Sequence, residues 1–249
     1  MPEWDEDIAA LNMSDVEKNG LQVYRNYTKA FEREQAKKFA AEVDAESHDV
    51  SRLDKVCLAI ASDDERLIPV IACAFADEVL DEMYKREIPK GIPGGRDSLF
   101  SGYGPFSSLS KRIQVACAFE WMSEDILKDM DSLRKVRNKF SHLWDHESLS
   151  GYADKAPTSD ITPIETMFKD HEERLLLSGV EKLDAVGRLR VRIIWLLGRL
   201  YYEALLYPRA IKQRMNPYVA LYGESRPEVL SRVAGVCSEY TRQVLQAKI

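Results

Sequence analysis

Cysteine is scarce in this sequence, and no two cysteines form a CxxC pair. The four residues, Cys57, Cys73, Cys117 and Cys237, are widely separated along the 249-residue chain. Because structural zinc sites usually take cysteines from closely spaced pairs, this spacing argues against a zinc-stabilised fold. We expect four reduced, buried thiols, as in a cytoplasmic protein, and we predict neither a metal nor a cofactor.

Long apolar runs are also missing. The longest stretches, LIPVIACAFA and IIWLL, fall short of the roughly 20 residues of a membrane span. The N-terminus, MPEWDEDIAAL, is acidic and lacks the basic-then-apolar pattern of a secretion signal. The net charge of -6 argues against non-specific nucleic-acid binding, which depends on a basic surface. These absences predict a cytoplasmic protein that does not enter a membrane.

No segment alternates with the period of two that is typical of strands, and no segment repeats. Apolar residues instead recur three and four positions apart, which predicts an all-α fold, an antiparallel multi-helix bundle. Residues 1–18 are expected to form a flexible acidic N-terminus before a single helical domain over residues 19–249. We predict the longest helix over residues 181–207. Pro208 is expected to end it and to begin a C-terminal extension over residues 208–249.

Proline and glycine mark several predicted helix boundaries. The helix that contains LIPVIACAFA accommodates Pro69 without a kink if it begins near Arg66. Residues 89–105 contain five glycines and three prolines, which predicts a long loop. A helix over residues 106–121 follows it, and Thr162–Glu165 has the form of a capping box.

The first helix of the domain is predicted from about Gly20 to Ala45 and is rich in aromatic residues. Its large apolar residues recur among many lysines and glutamates: Leu21, Tyr24, Tyr27, Phe31 and Phe39. This spacing is typical of an amphipathic or solvent-exposed helix.

A distinctive pattern runs from Leu99 to His142. A Gly-x-Gly-Pro turn precedes an apolar helix with a Ser-x-Arg step. A Ser-Glu turn follows, and a second helix ends in an Arg-x4-His group. The residues of the pattern are Gly102, Gly104, Pro105, Leu109, Ser110, Arg112, Ile113, Ser123, Glu124, Arg137 and His142. This pattern resembles the mannitol repressor family, and the resemblance covers residues 66–144.

The resemblance implies an all-α fold without a DNA-reading domain of its own. It also implies a transcriptional regulator of sugar-alcohol uptake genes that acts as a co-repressor by contact with another protein. Within the matching segment, Tyr103 and Arg112 are candidate binding residues. We expect the protein to form a homodimer.

The six residues RNKFSH, at positions 137–142, also resemble the Arg-x4–6-His motif of HEPN-type helical domains. Active members of that superfamily are metal-independent ribonucleases whose two motifs face each other in a dimer. Inactive members bind RNA or protein, and the setting is toxin–antitoxin or defence. In this alternative, His142 transfers protons, Arg137 holds phosphate oxygens, and Asn138 orients either one.

A structural interpretation of the same six residues competes with the catalytic one. Asn138 and His142 are both favourable at a helix C-terminus and would cap it. Arg137 would then form an ion pair with an acid of the neighbouring helix. The candidates are Asp77, Glu78 and Asp81.

A second set of candidate binding residues lies on the long predicted helix. Arg188, Arg192 and Arg199 share one helical stripe, in a stretch that holds seven basic residues and one acid, Glu203. Such a stripe would contact nucleic-acid phosphate or an acidic partner. The alternative is a solvated face beside the buried IIWLL segment.

Overall fold

The computed structural model describes residues 4–62, 64–140 and 179–247. Within these ranges every regular element is a helix, which confirms the predicted all-α fold. The described α-helices are α1 (Glu6–Ala9), α2 (Asp15–Asp44), α3 (Ser51–Ser62), α4 (Ile68–Glu87), α5 (Leu109–Ala118), α6 (Glu124–Phe140), α7 (Ala185–Lys212), α8 (Pro217–Tyr222) and α9 (Glu228–Gln246). The capping box predicted at Thr162–Glu165 lies outside the described residues.

Helix α7 forms the centre of the fold and packs against α3, α4 and α9. Residues 193–198 are all buried, so the middle of α7 is covered on every side. A helix that is apolar all round is expected at such a position. Gly198 allows α9 to approach closely, because a Cβ at this position would collide with the sulfur of Cys237.

The prediction that Pro208 ends the longest helix is wrong, since α7 continues to Lys212. Proline has no amide hydrogen, so the carbonyl oxygen of Ala204, four residues earlier, loses its intrahelical donor. Arg86 of α4 replaces that donor, because its Nη2 donates to the Ala204 oxygen at 2.6 Å. The C-terminal extension predicted from residue 208 therefore begins inside α7, and its last helix, α9, packs in the core.

The start of α4 agrees with the sequence analysis. Pro69 lies in the first turn of α4, where a missing amide hydrogen costs no helical hydrogen bond. The carboxylate of Asp64 accepts the backbone amide of Arg66 at 3.0 Å and caps the 3₁₀ turn that precedes α4. Helix α4 then packs against α3, α5, α6 and α7.

The glycine-rich loop over residues 89–105 folds back on itself. Gly104 has no space for a side chain, because a Cβ there would collide with the backbone of Leu99. The loop delivers Phe106 to the core, where its ring stacks on Tyr84 with centroids 4.3 Å apart. Three glycines of the loop have the positive φ values that side chains disfavour: Gly94, Gly95 and Gly102.

Helix α5 is shorter than predicted, and one cysteine is misplaced by the prediction. It begins at Leu109 and ends at Ala118, and the chain turns at Glu120 with a φ of 53°. Cys117 is exposed, whereas the other three cysteines are buried as predicted. One residue further along a helix rotates a side chain by about 100°, which carries Cys117 away from the buried Ala116.

The N-terminal segment, residues 4–13, packs against α2, whereas the sequence predicts a flexible segment over residues 1–18. Helix α2 already begins at Asp15. Ser14 and Glu17 form a reciprocal capping box in front of it. Ile8 of α1 is 1% exposed, because this short helix packs against α2.

Candidate interaction surface

The catalytic motif of the ribonuclease alternative is only partly described. Arg137 and Asn138 are half-buried near the end of α6, and His142 lies outside the described residues. The Arg137 guanidinium lies beside the thiol of Cys73 on α4, and it acts to lower the pKa of that thiol. Burial outweighs this effect and raises the pKa of Cys73 to about 11. Among the described residues, Arg137 is therefore packed at the contact between α4 and α6.

Arg112 is a structural residue in this fold, although it was a candidate for binding. Its side chain is 8% exposed, and its guanidinium pairs with Asp77 and, at 2.5 Å, with Asp81. The hydroxyl of Tyr84 donates to the Arg112 carbonyl oxygen at 2.7 Å. Two of the acids that were candidate ion-pair partners of Arg137 thus bind Arg112 instead and hold α5 against α4. Tyr103, the other candidate in this segment, is fully exposed.

The basic stripe on α7 does not form an open cationic surface. Arg188 is half-buried and donates to the carbonyl oxygen of Leu183 at 2.7 Å. Arg199 pairs with Asp125 at 2.6 Å and with Glu203 at 3.1 Å. Arg192 is half-buried. Two of the three arginines are therefore engaged by groups of the same chain.

Glu203 is the centre of a buried polar network that the sequence analysis did not identify. Its side chain is 0% exposed. It accepts from the amide of Ser123 at 2.8 Å, from the Ser123 hydroxyl at 2.7 Å and from the hydroxyl of Tyr222. Arg199 supplies the compensating charge. Such a fully paired carboxylate holds α6, α7 and α8 together. In the sequence, the only sign of this network is that Glu203 is the single acid of a basic, apolar stretch.

A cleft of about 310 Å³ opens between the α2–α3 connection, α4 and α7. Arg52 lies in this cleft and pairs with Glu78 at 2.9 Å and with Glu82 at 2.6 Å. The Tyr201 hydroxyl donates to the carbonyl oxygen of Asp49 at 2.5 Å. The polar groups of this cleft are largely satisfied by one another, and their charges offset.

Helix α2 presents an exposed apolar face along its first half. Val16, Val23, Tyr24, Tyr27 and Phe31 are 80%, 68%, 70%, 69% and 55% exposed. At 100° per residue, these five side chains lie within a sector of about 100°. We call them the α2 face. Single exposed apolar residues are common, whereas a continuous stripe of this kind is typical of interaction surfaces, which makes the α2 face a candidate.

The N-terminal segment covers the opposite side of α2. Arg25 pairs with Asp5 at 2.9 Å and with Asp7 at 2.6 Å. The Arg25 guanidinium lowers the pKa of the Asp7 carboxyl to about 2. Since Arg25 points about 160° away from Tyr27 around the helix, this segment leaves the α2 face open.

A second cleft, of about 390 Å³, continues the α2 face toward the end of α7. Thr28 and Phe31 line it from α2, and Met215 and Val219 line it from the α7–α8 turn and α8. The exposed apolar surface therefore extends beyond one helix.

Comparisons with known protein families, with curated proteins and with solved structures give no match for this chain. What the described residues define is an all-α fold with one extended apolar face. None of the described helices is long and apolar enough to cross a membrane. The resemblances to the mannitol repressor family and to HEPN-type domains stay predictions.

Proposed function

We propose that this protein is a regulator of the mannitol-repressor type that acts by binding other protein chains. The observation that supports the proposal is the α2 face, with its five exposed apolar side chains. Aromatic residues such as Tyr24 and Tyr27 bury a large area with few rotatable bonds, so they are frequent energetic centres of protein interfaces. Arg112 and Arg199, which were candidate binding residues, are instead paired with acids of the same chain.

The proposal is tested by genetic complementation in the source organism. Deletion of the gene should change the transcript level of sugar-alcohol uptake genes during growth with and without mannitol. The wild-type gene should restore regulation, and a Tyr24→Lys/Tyr27→Lys double variant should not. Leu58→Lys is the matched control, because Leu58 is an exposed apolar residue on α3, at 45% exposure.

Equal protein levels in immunoblots ensure that the comparison reports interaction rather than folding. Unchanged transcripts after deletion would refute the regulatory role. Full complementation by the double variant would refute the role of the α2 face in it.

A further inference from the structure

We infer that the α2 face binds the α2 face of a second copy of this chain in antiparallel orientation. The inference rests on the proposed function, because it names a partner for the surface that supports that function. The polar side of α2 is covered by the chain's own N-terminal segment, whereas the apolar side is left uncovered. This arrangement is the reverse of what burial of apolar area favours in an isolated chain.

Gly20 lies in the middle of the α2 face and has no evident function within a single chain. It is in the interior of a 30-residue helix, where glycine is less favourable than alanine. A Cβ at this position would meet nothing within 4 Å. Neither packing nor backbone conformation of the described residues therefore requires glycine. The close approach of a large side chain from a partner does require it.

The α2 face is complementary to itself in the antiparallel orientation. A two-fold axis between Val23 and Tyr24 brings small residues opposite large ones. A parallel pair would place glycine opposite glycine and tyrosine opposite tyrosine, which leaves a gap at one level and crowding at another. The antiparallel pairs are Val16 with Phe31, Gly20 with Tyr27, and Val23 with Tyr24.

The area of the face indicates a dimer of modest stability. A fully exposed aromatic side chain contributes about 150–250 Å², so the five partly exposed side chains offer roughly 600 Å² in each copy. Two copies together bury about 1,200 Å², which is at the lower limit of specific protein interfaces. We therefore expect a concentration-dependent dimer.

Sedimentation equilibrium of the full chain at several concentrations tests this inference. We expect a monomer–dimer equilibrium for the wild type and for Leu58→Lys, which changes an exposed apolar residue of α3 outside the face. Tyr27→Lys should weaken dimerisation by at least about tenfold, as for a central aromatic residue of an interface. Gly20→Leu should do the same, since it fills the space for the partner's ring. Circular dichroism and thermal melting should show that both variants remain folded.

Disulfide cross-linking determines the orientation of the two chains. The exposed Cys117 is first replaced by serine to remove background reaction. Val23→Cys lies next to the two-fold axis and should cross-link efficiently under oxidation. Val16→Cys should not, because the two copies of residue 16 lie about 22 Å apart at 1.5 Å per residue.

Three results would overturn the inference. They are a wild-type chain that is monomeric at all concentrations, a dimer that Tyr27→Lys and Gly20→Leu leave unchanged, and efficient cross-linking at residue 16 rather than 23. A monomeric chain whose α2-face variant still fails in complementation would refute self-association while the proposed function stands. If the dimer forms as expected and deletion of the gene changes no transcripts, the proposed function is refuted while self-association stands.

Discussion

Replacement of Arg86 by methionine tests how α7 continues past Pro208. The structure gives the Ala204 carbonyl oxygen a donor from Arg86, at 2.6 Å, in place of the amide that proline lacks. Methionine keeps much of the apolar length of the arginine side chain and removes its donors. The helix then has an unsatisfied carbonyl in a partly buried position, which destabilises the folded state.

The expected loss follows from the contacts of Arg86. A hydrogen bond from a charged donor contributes about 1.5–3 kcal/mol when buried, and we expect about 1–1.5 kcal/mol here, because the Arg86 side chain is 43% exposed. For a chain of this size, such a loss lowers Tm by about 2–6 °C. Arg86 also pairs with Glu87 at 2.7 Å, and the Glu87 side chain is only 8% exposed, so the loss of this pair adds to the cost of the substitution. Lys212 also binds Glu87 and keeps its carboxylate paired.

A double-mutant cycle with Pro208→Ala separates the two contributions, measured by urea unfolding of all four proteins. An alanine at position 208 restores the amide that donates to Ala204, so Arg86→Met should then cost about 1 kcal/mol less than in the wild type, and the remaining cost reports the loss of the Glu87 pair. We expect an interaction energy of about 1 kcal/mol between the two positions. Additive effects of the two substitutions would refute the argument that Arg86 compensates for Pro208.

Three further predictions concern the buried network, the tyrosines and the ribonuclease alternative. Glu203→Ala should destabilise the protein by about 3–5 kcal/mol in urea unfolding, since it leaves Arg199 without its buried partner; Glu203→Gln should cost less because its amide oxygen still accepts hydrogen bonds. Burial raises the pKa of Tyr84 and Tyr202 above 10. The stability that these tyrosines contribute is therefore complete below pH 10 and should fall as the pH rises above it. Alkaline unfolding followed by circular dichroism measures this fall, and a stability that is constant from pH 9 to pH 12 would contradict it. Purified wild type and Arg137→Ala should both leave mixed RNA intact, and metal-independent degradation by the wild type alone would favour the ribonuclease over the regulator.

The candidate surface was only partly predictable from the sequence. The spacing of Tyr24, Tyr27 and Phe31 indicated an amphipathic or exposed helix, and these residues do lie on α2. Their exposure depends on which side of α2 the rest of the chain covers, and the N-terminal segment covers the side of Arg25. Periodicity identifies an apolar face but does not say whether that face contacts the same chain, a second chain or solvent.

Local chemistry in the sequence determined the helical class and the place of Pro69 in the first turn of α4. Hydrophobic period and first-turn proline geometry act within a few residues, so they can be read without a structure. The tertiary structure alone decided the pairing of Arg112 with Asp77 and Asp81, 35 and 31 residues away, since the ion pairs require α4 and α5 to pack together. It likewise decided that Pro208 lies inside a helix, because the compensating donor is 118 residues from Ala204.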